Sequence, residues 1–148
     1  MKLIFTKGSG KYDRLDVLRE NAEPERVECP KQGIIPHDMV HYAVEKTLQT
    51  RGFFGRVKDG DGAGFRMKPE AQSDSVERLV EVFQGDAWSG ANSSPADVIE
   101  MYRVTCDARR CPILPLNEAA IHAVRHTISQ LSVHWDSLEV GGTMYLEL

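Results

Sequence analysis

Tyr12-Asp13-Arg14-Leu15-Asp16-Val17-Leu18-Arg19 sets Leu15 and Val17 on one side of an extended chain and charged Arg14 and Asp16 on the other. Successive strand side chains point to opposite faces, so this partial alternation predicts a half-exposed β-strand. Upstream, Leu3-Ile4-Phe5 is an apolar run of strand length, and Gly8-Ser9-Gly10 supplies the turn between the two. Downstream, Asn21 to Pro24 is a polar turn, and Arg26 to Cys29 reads as a third short strand ended by Pro30. Three consecutive strands with short connections predict an antiparallel meander.

The far end of the chain carries the same signals. Val133 to Val140 reads as a strand, Gly141-Gly142 as a hairpin turn, and Thr143 to Leu148 alternates with Met144, Leu146 and Leu148 on one face. This last strand is expected to join the N-terminal strands in one sheet.

Between the two ends the period changes to that of helices. Pro36 suits a first helical position, and Val40, Ala43, Val44 and Leu48 form a stripe that Gly52 closes. Asp74 and Glu77 stand in capping-box register ahead of Val76, Leu79, Val80 and Phe83, with Gly85 as the stop. Ser94-Pro95 opens a helix that buries Val98, Ile99, Tyr102 and Cys106. A fourth helix, from about Leu116 to Leu131, presents Ala120, Ile121, Val124, Ile128 and Leu131. Residues 52–68 are glycine-rich: Phe53-Phe54 and Phe65 flank Asp59-Gly60-Asp61-Gly62-Ala63-Gly64, which predicts a hairpin or a loop able to act as a lid. The expected fold class is therefore α+β, one globular domain over residues 1–148. Its mainly antiparallel sheet is built from N-terminal and C-terminal strands and covered by about four helices.

Composition narrows the function. A chain of 148 residues buries enough surface to hold a core without disulfides or metal. The net charge of -4 gives no basic footprint, and Arg103, Arg109, Arg110 and Arg125 are interleaved with acids, so no nucleic-acid partner is expected. No stretch has the length of a membrane span. Three irregularly spaced cysteines, Cys29, Cys106 and Cys111, with no signal peptide ahead of them, favour a reducing, cytoplasmic setting.

The chemistry-bearing stretch is Pro36-His37-Asp38-Met39-Val40-His41-Tyr42-Ala43-Val44-Glu45. His37, His41 and Glu45 recur every four residues, on one helix face. Two imidazoles at that spacing can bind one divalent transition metal such as zinc, with Asp38 or Glu45 as carboxylate ligand or general base. The zincin helix uses this spacing but has glutamate directly after its first histidine, where this chain has the shorter Asp38. Both histidines fall at the edge of the Val40–Val44–Leu48 stripe and are expected to be half-buried. The plainer account is that His37 packs at the helix start and His41 hydrogen-bonds in the core.

Glu118, His122 and His126 repeat the spacing opposite their own helix's stripe and read as a surface group, as does His134 at a sheet end. Asp59-Gly60-Asp61-Gly62 lacks the glutamate of an EF-hand, and no phosphate-loop signature follows the glycines. Cys111, near Arg109 and Arg110, is a candidate reactive thiol. Three readings follow. The first is a binding or interaction module, taking a small-molecule ligand or forming a homo-oligomer through a sheet edge or the aromatics Phe53, Phe54 and Trp88, which are expected to be exposed. The second is a metal-dependent or histidine–carboxylate enzyme around His37 and His41. The third is a thiol protein using Cys111.

Overall fold

A computed structural model describes residues 1–64 and 67–148. The meander forms as its pattern dictates: β1 (Lys2–Thr6), β2 (Tyr12–Leu18) and β3 (Glu25–Pro30) pair antiparallel. The final strand, β4 (Thr143–Glu147), pairs antiparallel with β1, giving the order β3-β2-β1-β4. The register sets Leu3 opposite Val17 and Leu146, and Phe5 opposite Leu15 and Met144. A continuous apolar face results, with Leu3, Phe5, Leu15 and Val17 fully buried against the helices.

Helix α1 (His37–Leu48) is the centre of the molecule, packed against the sheet and three other helices. Pro36 lies one residue ahead of it, and its carbonyl accepts the Met39 and Val40 N–H groups. Its stripe is wider than the sequence suggests. Met39, His41 and Glu45 are buried along with Val40, Ala43 and Val44, because neighbours cover it on several sides.

Four expectations are corrected. First, Gly52 does not end α1. Gln49, in the left-handed conformation at φ 51°, ends it, and Gly52 opens a short helix α2 (Phe53–Lys58) where a hairpin or loop was expected. Beyond α2, Arg56 reaches Asp61 (2.8 Å) and the Lys68 carbonyl (2.6 Å), and Arg51 pairs with Asp59 and Glu70. The expectation for Phe65 lies outside the described residues.

Second, α3 (Ala71–Trp88) begins before Asp74 and passes through Gly85, whose carbonyl accepts the Ser89 N–H. Third, α5 (Glu118–Ser137) continues through the stretch expected to be a strand from Val133. Trp135 extends the buried stripe one turn beyond Leu131, and Lys7 Nζ satisfies the terminal carbonyls of Trp135 (2.9 Å) and Leu138 (3.0 Å). Gly141-Gly142 therefore joins a helix to β4 rather than two strands, and His134 sits in the last turn of α5. Fourth, the aromatics do not form one exposed group: Phe54 is fully buried and Phe53 half-buried, while Trp88 is exposed.

Helix α4 (Pro95–Arg109) starts as expected, with the Ser94 hydroxyl accepting the Asp97 N–H at 3.1 Å. Among the described residues, no helix is long and apolar enough to cross a membrane.

Candidate metal centre

Four residues along a helix brings side chains to one face, and α1 sets the His37 and His41 rings edge to face with centroids 4.8 Å apart. The third member comes from α3. Glu77 Oε2 lies 2.8 Å from His41 Nε2, and Glu77 Oε1 lies 3.4 Å from His37 Nε2. Ligand atoms of these three residues all fall within 4.8 Å of one another, the one such group of three or more histidine, cysteine and acidic residues among the described residues.

The other side of each imidazole is also engaged. His37 Nδ1 is 2.5 Å from the Gln84 side-chain oxygen. His41 Nδ1 is 3.4 Å from Glu45 Oε1, an ion-pair contact rather than a hydrogen bond, and Nδ1 has no hydrogen-bond partner among the described residues. Both rings thus aim Nε2 at one carboxylate and back Nδ1 onto a side-chain oxygen.

Glu45 holds its position through α2. Its two oxygens accept the backbone N–H groups of Gly52 (3.1 Å), Phe54 (3.0 Å) and Gly55 (2.9 Å), satisfying three of the free donors at that helix's start. The Gly52 Cα comes so close that an added Cβ would lie 2.7 Å from Glu45 Oε1 and 2.5 Å from Val76 Cγ1. Glycine at that position is what lets a carboxylate lie inside the core.

Burial is deep for His41, at 3% exposure, and partial for His37 and Glu77, at 37% and 33% of their side chains. The half-burial expected of both histidines holds for His37 alone. The Phe53 and Phe54 rings pack against the His41 imidazole, with centroids 5.5 Å and 6.4 Å away, and shield it from water. Desolvation alone would push the His41 pKa down, but the Glu45 and Glu77 carboxylates outweigh it and raise it to about 9. His37 is likewise raised against its own desolvation, chiefly by Glu77. Burial would lift Glu77, yet the two imidazoles hold its carboxyl well below the usual carboxylate range.

A cavity of about 240 Å³ opens beside Glu77, with Phe53, Arg56, Lys68, Ser73 and Asp74 among its walls. The cluster therefore has a protein-filled side toward α1 and an open side toward this cavity.

The other candidate residues lie elsewhere. Asp38 accepts the Cys29 thiol at 3.2 Å and does not join the cluster. Cys29 is thus paired with a carboxylate rather than an imidazole, and burial together with that charge pushes its thiol well above the ordinary range. His122 and His126 are exposed, and Glu118 and His122 form the expected surface pair at 3.4 Å. Cys106 is fully buried and Cys111 half-buried. Glu77 is the member that the sequence assigns to a different task, as the second half of a capping box. Glu70 occupies the N-cap position instead, without a side-chain cap, and Glu77 turns toward α1. Comparison of the chain with known protein families, with curated proteins and with solved structures finds no match.

Proposed function

We propose that this chain binds one divalent transition metal ion, zinc being the type that suits the donors, through His37, His41 and Glu77, and uses it as a metal-dependent enzyme. Two imidazoles and one carboxylate are a donor set of open, catalytic metal sites, in contrast to the four protein ligands of structural zinc. The observation that carries the reading is the orientation of the rings. A metal-ligating imidazole needs one nitrogen free for the ion and the other fixed by an outer oxygen. Here Nε2 of both rings faces Glu77; Gln84 fixes His37 Nδ1 by a hydrogen bond, and Glu45 stands 3.4 Å from His41 Nδ1 as an ion-pair contact that shortening would turn into the matching bond. Without an ion, the same three residues form a charge-compensated ion pair that serves the fold.

The bound ion would act as a Lewis acid in this site. The chain's own residues would then divide the remaining work. Glu45 and Gln84 orient the imidazoles, the phenyl rings of Phe53 and Phe54 exclude water from the inner side, and the cavity bounded by Arg56 and Asp74 receives a small polar substrate. Asp38, which accepts a hydrogen bond from the Cys29 thiol, takes no part in this assignment.

Metal analysis and titration of the purified protein test the proposal. One equivalent of zinc should bind, and His37→Ala or Glu77→Gln should each weaken binding by about tenfold to a hundredfold or more. Wild-type protein that takes up no zinc at a protein concentration of about 50 μM would remove the metal and leave the ion pair as a structural element. The interaction-module reading has less to support it: the exposed large apolar side chains include Tyr12, Trp88, Met101 with Val104, Val133 and Tyr145, which are distributed over β2, α3, α4, α5 and β4.

A further inference from the structure

The C-terminus of α4 places two of the three cysteines at one turn. Arg110 adopts the left-handed conformation at φ 54°. The Cys111 N–H donates to the Cys106 carbonyl at 3.1 Å, and the Arg110 N–H to the Asp107 carbonyl at 3.3 Å. These are the two bonds of a Schellman motif, which brings together the side chains of its first and last residues, usually as an apolar contact. In this chain both of those residues are cysteine. The Cys111 sulfur lies 3.9 Å from the Cys106 carbonyl oxygen, which sets it over the backbone of the residue whose thiol it would join. Cys106 is fully buried and Cys111 reaches the surface.

The segment that follows is already fixed in place. The Tyr102 hydroxyl accepts the Leu114 N–H and donates to the Ser75 carbonyl, both at 3.2 Å. The Ser75 hydroxyl donates to the Pro112 carbonyl. The connection to α5 is thus already held at Pro112 and Leu114 before any link forms between the sulfurs, so little chain entropy remains to be lost.

We propose that Cys106 and Cys111 form an oxidation site, a dithiol that closes to an intramolecular disulfide by exchange with a small disulfide such as oxidised glutathione. The accessible Cys111, as thiolate, attacks one glutathione sulfur. The glutathione S–S bond breaks, and the leaving thiolate takes up the proton that Cys111 released. Cys106 then loses its proton and attacks the Cys111 sulfur of the mixed disulfide, expelling the second glutathione, which is protonated in turn. One S–S bond is lost and one formed. The two cysteines give up two electrons and two protons, which two glutathione thiols receive.

Full-length protein equilibrated with oxidised glutathione, alkylated and digested with trypsin tests the pair. Cleavage after Arg109 and Arg110 separates Cys106 from Cys111 unless a bridge holds the peptides together. The expected result is one joined species that dithiothreitol splits into the Cys106 and Cys111 peptides, from protein that runs as a monomer without reductant. Maleimide labelling of Cys111 should fall by about tenfold or more, while the buried Cys29, bonded to Asp38, stays a thiol. Cys111→Ser should leave Cys106 reduced, and Cys106→Ser should accumulate the glutathione adduct that the wild type resolves. A lasting glutathione adduct on wild-type Cys111, dimers linked through Cys111, or two unmodified thiols would overturn the proposal. The wild-type peptide map decides it even if the Cys106 variant does not fold.

Discussion

Glu45→Gln is expected to weaken the fold and the metal site together. The carboxylate is 3% exposed and accepts three backbone N–H groups, two on Oε2 and one on Oε1. A glutamine can offer its single oxygen in place of Oε2 and keep the Gly52 and Gly55 bonds. Its NH₂ then meets the Phe54 N–H, donor against donor, and that bond is lost. Hydrogen bonds to a buried charge contribute about 1.5–3 kcal/mol each, roughly twice a neutral one. One bond disappears and two are halved, and relief of the carboxylate's desolvation returns part of the loss. The net destabilisation expected is about 2–4 kcal/mol, read as a lower urea midpoint in the presence of chelator with an unchanged slope. The same change removes the carboxylate 3.4 Å behind His41 Nδ1, and loss of such an outer partner costs about tenfold to a hundredfold in metal affinity. Stability within about 0.5 kcal/mol of wild type would refute the capping role. Lost stability with full zinc affinity would refute the orienting role alone.

Three further outcomes follow from the same geometry. In chelator, stability should fall on the alkaline side. The folded His41 pKa of about 9 lies above the ordinary histidine value of about 6.5, so its contribution is complete below about pH 6.5 and disappears as the pH rises through about 9, with roughly 3 kcal/mol at stake; a His41→Gln variant with an equally steep alkaline loss would contradict this. Gly52→Ala should destabilise by about 1–3 kcal/mol, since its Cβ would be forced to within 2.7 Å of Glu45 Oε1 and 2.5 Å of Val76, and thermal melts that match wild type would show that the site can expand at no cost. Arg125→Met strands the Asp86 carboxylate, which is 5% exposed and now held at 2.8 Å and 2.7 Å. It should cost about 3 kcal/mol, and adding Asp86→Leu should recover most of that, whereas simple additivity of the two changes would rule out a coupled pair.

The elements legible in the sequence are those whose pattern is long or sharply punctuated. β2 and β4 alternate over several residues, Ser94-Pro95 marks the start of α4, and the α1 stripe recurs through three turns. The elements missed are those where local chemistry and tertiary setting disagree. α2 has only six residues, with a glycine inside it, too few for a helical period to appear. Its stability comes from a carboxylate on another helix. Val133 is β-branched and 71% exposed, so nothing in its own neighbourhood favours helix. The helix continues because Trp135, two residues on, has a place in the core. Gly85 stands within α3 with open space where its Cβ would be, so it carries a propensity cost of about 1 kcal/mol that the buried Val76–Phe83 face outweighs.

Glu77 shows why half of the candidate site could be read and half could not. His37 and His41 share a face by helix geometry alone, and any helix over that stretch would place them together. Glu77 belongs to the site only because α3 packs against α1, a contact between residues 36 and 40 positions apart in the chain. Local rules offered it a nearer task as a capping partner for Asp74. That task vanished once the helix began at Ala71, which put Asp74 inside the first turn. What remained in the sequence was a weaker signal. Glu77 and Gln84 lie seven residues apart, on one side of a helix and bordering the apolar stripe of Val76, Val80 and Phe83. Polar groups at such a border need partners when the stripe is buried. α1 offers, at the edge of its own stripe, the two side chains able to satisfy them, so each helix supplies what the other leaves unpaired.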